Sequence, residues 1–150
     1  MKSPFLLFLA MFCMVLCQAQ PTQKNISLVG SIAYPNNELS DVSAYVAPDG
    51  HEYAIVGTVL GVSLVDLVNP AQPVQLQILP LIPNIWRDIE VYGHYAYVSN
   101  EAGNGLRIIN LESLPGQVVY KDTIIAGMNT GHTLHIDDKG YLYINGSDQF

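Results

Sequence analysis

"EYAIVGT" (52–58), "HYAYVSN" (94–100) and "GYLYING" (140–146) resemble one another, and each is a short apolar run between polar residues or glycine. Short apolar runs and alternations bounded by Gly, Pro, Asn and Asp are the strand-and-turn pattern. Aligning Tyr53, Tyr95 and Tyr141 gives spacings of 42 and 46. Neighbouring segments keep a similar step. "GVSLVDL" (61–67) and "GLRIINL" (105–111) begin at Gly61 and Gly105, while "DVSAYV" (41–46) and "DIEVYG" (88–93) begin at Asp41 and Asp88. A unit of about 45 residues therefore recurs.

Within the second unit, strands are expected over 88–92, 94–99, 106–111 and 118–124. Val, Ile, Tyr and Leu dominate these runs, the residue types that suit a pleated surface. Pro48-Asp49-Gly50 and Asp138-Lys139-Gly140 are tight-turn sequences, and Gly93 closes a shorter turn. No helical period is found beyond the first residues.

The fold class is all-β. Four short antiparallel strands at this spacing are the signature of a β-propeller blade. Two units are complete, at about 41–80 and 88–124, and a third at about 132–150 has reached its second strand. The expectation is a partial β-propeller of about two and a half blades, the alternative a small β-sandwich. A propeller closes with roughly four to eight blades. The 150 residues are thus expected to be an N-terminal fragment of a longer protein, or a truncated product.

The first residues read as an address. Lys2 precedes the apolar run Phe5 to Leu16, and Ala19 offers a small residue ahead of a cut before Gln20. This is the pattern of a secretory signal peptide over 1–19. The run is too short to span a membrane, which takes about 20 apolar residues. Lipoprotein processing at Cys17 is the alternative, disfavoured because Leu16 is not small. Residues 20–37 form a lead-in, and 38–150 hold the repeated units. The protein is expected to be secreted or extracytoplasmic: periplasmic, outer-surface or extracellular.

Both cysteines, Cys13 and Cys17, fall in the leader, so the mature chain has neither a disulfide framework nor a thiolate metal site. Lys+Arg number 6 against 13 Asp+Glu, a net charge of −7, and loss of Lys2 makes the mature chain more acidic. That balance argues against nucleic acid and anionic membranes as partners. No transmembrane helix is expected in the mature chain.

"GVSLVDLVNPAQPV" (61–74) resembles the LVIVD repeat through Asp66, Asn69, Pro70, Pro73 and Val74. The second unit departs, with Asn110 in the Asp position and a single Pro115. The order of "SDVSAYVAPDGHEYAIVGTVLGVSLVDL", "WRDIEVYGHYAYVSNEAGNGLRIINL" and "GHTLHIDDKGYLYING" resembles the choice-of-anchor B family over about 38–146. Asn104 and Thr133 depart from that family, which has His and Asn there. The resemblance implies a bacterial secreted or surface propeller, largely without an assigned activity. It also implies surface attachment through a C-terminal region not seen in this chain.

Polar residues at the strand starts are the candidate site. In a propeller the first strand of each blade lines the central channel. Asp41, Arg87, Asp88 and His132 would then ring one mouth of it, with Thr133 as the counterpart of the two aspartates. Glu101, in the Gly-rich "NEAGNG" loop, joins them as a candidate ligand-binding residue. Asp and His at strand starts also bond turn N–H groups, which is the simpler role for any one of them. Trp86 is expected to pack between blades.

His132 and His135 raise a metal site. They are three apart on an expected strand, which puts them on opposite faces unless His132 lies in the loop. No cofactor is expected, and a divalent metal there is the alternative. No recognised catalytic motif is present, neither GxSxG nor Walker loop nor dinucleotide fingerprint. The leading expectation is a binding or scaffolding module for an extracellular protein or glycan. The alternative is an extracytoplasmic hydrolase or lyase with a channel-mouth Asp/Glu/His site.

Overall fold

Short runs of Val, Ile, Leu and Tyr between Gly- and Asp-bearing turns leave the chain one economical option, hairpins stacked in sequence order. A computed structural model describes residues 25–149; the leader expected at 1–19, with Cys17, lies outside the described residues. All regular structure among the described residues is β. β1 (Leu39–Val46), β2 (Glu52–Thr58), β3 (Gly61–Asp66) and β4 (Val74–Pro80) make one antiparallel sheet in that order. β5 (Ile89–Tyr92), β6 (Tyr95–Val98), β7 (Leu106–Asn110) and β8 (Val119–Thr123) make a second with the same up-and-down order. β9 (Thr133–Ile136) pairs with β10 (Leu142–Asn145) in a two-stranded third. The three sheets of the described residues do not close into a barrel.

The four strands expected in the second unit are all present, each trimmed by a residue at one or both ends. Gly61 and Gly105 open β3 and β7 for one reason. Both have positive φ, +151° and +67°, and a Cβ there would lie 2.1 Å from the Leu79 carbonyl oxygen or 2.2 Å from that of Thr123. Only glycine lets β4 and β8 come this close.

Register sorts the side chains. Ile55 lies opposite Leu64 and Gly57 opposite Val62, so Ile55, Val62 and Leu64 share a face. In the second sheet Ile89 lies opposite Val98 and Ala96 opposite Ile109. These two faces meet in one buried cluster that also takes Tyr45, Tyr53 and Leu79. The reverse face of the second sheet presents Tyr97 and Ile108 to Leu134, Leu142 and Ile144. The second sheet is therefore covered on both faces. Each fully buried Leu, Ile or Val contributes about 1.5–3 kcal/mol relative to exposure. Where the sheets approach one another, first strands lead: β1 lies against β5, and β5 against β9.

Two buried arginines stitch the first two sheets. Arg107 donates through Nη1 to the Pro80 carbonyl at 2.7 Å and through Nε and Nη2 to Asp122 at 2.6 and 2.8 Å. Its guanidinium also lies 4.2 Å from the centre of the Tyr120 ring. Arg87 donates to the carbonyls of Thr58 at 2.9 Å, Ile82 at 2.5 Å and Asn84. Among the described residues no helix is long and apolar enough to cross a membrane.

Candidate functional site

The starts of the three first strands converge. Residues just before or within the opening of β1, β5 and β9 line one cleft of about 410 Å³: Leu39, Asp41, Trp86, Asp88, His132 and Thr133 are the members that matter chemically. A volume of this size falls in the range of small-molecule sites.

The aspartates are held by a shared device. Asp41 accepts the Ile89 N–H through Oδ2 at 2.8 Å, and Asp88 accepts the Leu134 N–H through Oδ2 at 2.5 Å. Each carboxyl at the start of one first strand thus caps a backbone donor of the next. Thr133 stands in the corresponding place of the third sheet, exposed at the cleft. Ser99 adds a second tie: its buried Oγ accepts the Asp88 N–H at 2.9 Å and donates to the His132 carbonyl at 2.7 Å.

Asp41 and Asp88 sit near enough to interact. The Asp88 carboxyl is pushed above its ordinary value of 3.8, first by burial and then by the neighbouring Asp41 and Glu90. The hydrogen bond from Leu134 opposes the shift. Two carboxyls in one cleft resist ionising together.

His132 lies in the bend before β9. Its Nδ1 meets the Glu101 carboxylate, and its ring centre is 6.1 Å from that of Trp86 at an interplanar angle of 49°. The contact ties the ring to the loop between β6 and β7 through Nδ1. Glu101 therefore reaches the cleft only through His132.

Two expectations change. Trp86 does not pack between sheets: it is 58% exposed at the rim of the cleft. The loop before β5 turns Arg87 inward instead, where its guanidinium is taken by three carbonyls. Arg87 thus touches the cleft while its charged head bonds the backbone beneath. Its pKa is lowered to about 10, by burial and then by Arg107.

His132 and His135 are not brought to a common point. His135 Nδ1 lies 3.6 Å from Glu90, while His132 is on Glu101. Among the described residues no three His, Cys, Asp or Glu side chains gather as a metal set. The carboxyl neighbours of Asp88 are Asp41 and Glu90, while Glu101 is on His132.

Ser99 and Arg107 were not among the residues the sequence singled out. Arg107 had a legible signal, a cation between Leu106 and Ile108 inside an apolar strand, which must find a partner if buried. Ser99 had none. No protein-family model, no curated protein and no solved structure matches the chain.

Proposed function

We propose that this is a secreted or cell-surface protein of β-propeller repeats, acting as a binding or scaffolding module for an extracellular protein or glycan. The observation that carries the reading is the cleft where β1, β5 and β9 begin, with an exposed Trp86 at its rim. Sheets stacked in chain order with first strand against first strand are what blades radiating from an axis require. Their starts would then form one mouth of a channel, the place where propellers offer loops to ligands. The likeness to the choice-of-anchor B family and the leader pattern at 1–19 support the same reading.

A second reading draws on one contact. Glu101 on His132 Nδ1, with the carboxyls of Asp41 and Asp88 in the same cleft, is a set able to move a proton. On this reading the protein is an extracytoplasmic hydrolase or lyase.

Two measurements test these readings, the first their shared export and the second the choice between them. Mass spectrometry of the exported chain is expected to find Gln20 as the first residue, and a cytoplasmic chain that keeps Met1 to Ala19 would sink the secreted reading. Incubation with chromogenic ester, phosphate and glycoside substrates is expected to give no turnover. Turnover abolished by His132→Gln and Glu101→Gln would establish the enzyme instead.

A further inference from the structure

We infer that the cleft at the starts of β1, β5 and β9 binds a carbohydrate residue, with Trp86 as its stacking surface and Asp41 and Asp88 as hydroxyl acceptors. The inference rests on the binding reading above and names the ligand's class.

The lining divides by chemistry. Leu39, Ile85 and Trp86 supply apolar surface, and Trp86 and Leu39 are 58% and 50% exposed. An indole left in water at the rim of a cleft gains most from a flat apolar partner. A sugar ring has such a face in its C–H groups, and a rim of hydroxyls around it.

The polar groups match that rim. Asp41 and Asp88 each give Oδ2 to a backbone N–H of the next first strand, which fixes both carboxyls in the lining of the cleft. Acceptors held this way need no reordering when the ligand arrives. Thr133 and Ser40 are in the same lining, and their hydroxyls both donate and accept. Hydroxyls likewise donate and accept, whereas the ammonium or guanidinium of a basic peptide only donates. An anion is disfavoured by the carboxyls, because the guanidinium in the lining, that of Arg87, is bonded to backbone carbonyls. The volume of about 410 Å³ suits a small ring rather than a folded partner.

The chain has a single Trp, so its indole emission reports Trp86 alone. The full chain is first applied to a glycan array. Emission is then titrated with neutral disaccharides of glucose, galactose, mannose and N-acetylglucosamine. A saturable change with at least one of them is expected, unaffected by salt. By calorimetry Trp86→Ala is expected to weaken that saccharide roughly tenfold or more. Trp86→Tyr is expected to retain most of the affinity. Asp41→Asn, which still accepts from Ile89, is expected to weaken it several-fold. Circular dichroism of Trp86→Ala should match that of the parent, since the side chain is exposed. No bound glycan and no saccharide response overturns the inference. If a Lys- or Arg-rich peptide then shifts the emission and salt abolishes the shift, the ligand is cationic and only the binding reading survives. Turnover of a chromogenic substrate in place of binding removes both.

Discussion

At the scale of single residues, Asp88 and Arg87 show how one cleft combines tension and support. The folded-state pKa of Asp88 is raised, so its favourable contribution to stability is fully present below the unfolded value of 3.8. It is lost as pH rises through the folded value, because the folded state binds the proton more tightly. Asp88→Asn keeps an oxygen for the Leu134 N–H and removes the charge. Thermal melts across pH are expected to show Asp88→Asn equal to or above the parent at pH 7, without the parent's decline over that window. Asp88→Ala leaves the N–H unpartnered and is expected to lose about 1–2 kcal/mol in urea titrations. Arg87 answers to a different test. Lys cannot reproduce its fork of three carbonyl bonds. Arg87→Lys is expected to lower the urea midpoint while leaving ligand affinity per folded molecule unchanged; a lost affinity with full stability would return Arg87 to the binding surface.

Elements are governed by how closely strands approach. Gly105 has a φ of +67°, and an added Cβ would sit 2.2 Å from the Thr123 carbonyl oxygen of β8. Gly50 has a similar φ, +86°, with nothing within 4 Å. Gly50→Ala should therefore cost only the left-handed conformation, about 1–2 kcal/mol. Gly105→Ala should cost clearly more, because β8 must also move, and the difference is read from paired denaturant curves. Equal losses would mean that backbone conformation alone matters at both sites. This comparison also explains what was legible. Gly61 and Gly105 stood out by spacing, and the strands after them fell where alternation put them. The ends drifted by a residue because end pairing depends on neighbours such as Ser99 and Asp88, which alternation does not encode.

At the scale of the molecule, the described residues form three sheets of unequal support. The first two share a cluster running from Tyr45 to Leu111, whereas the third rests on Leu106, Met128 and Leu134. Two-stranded pieces are marginal without such packing. Hydrogen exchange is expected to show β9 and β10 opening before β2, β3, β6 and β7. Ser99→Ala removes the link between the Asp88 N–H and the His132 carbonyl. It is expected to lower protection in β9 more than in β2, at about 1–2 kcal/mol. Uniform loss of protection would show that the third sheet unfolds only with the rest.

The strands, the turns and the matched positions of Asp41, Asp88 and Thr133 were legible in the sequence, because period and spacing are local properties of a chain. That these starts of β1, β5 and β9 share one cleft agrees with their matched positions. Which side chains face it was decided only in three dimensions. Trp86 and Arg87 are adjacent in the chain, yet one is exposed at the rim and the other buried on carbonyls. No periodicity applies to the loop that carries them, so their direction follows from the donors and acceptors that the neighbouring sheets leave open. The pairings Asp41 with Asp88 and Glu101 with His132 have the same origin, contacts between sheets whose residues lie 47 and 31 positions apart.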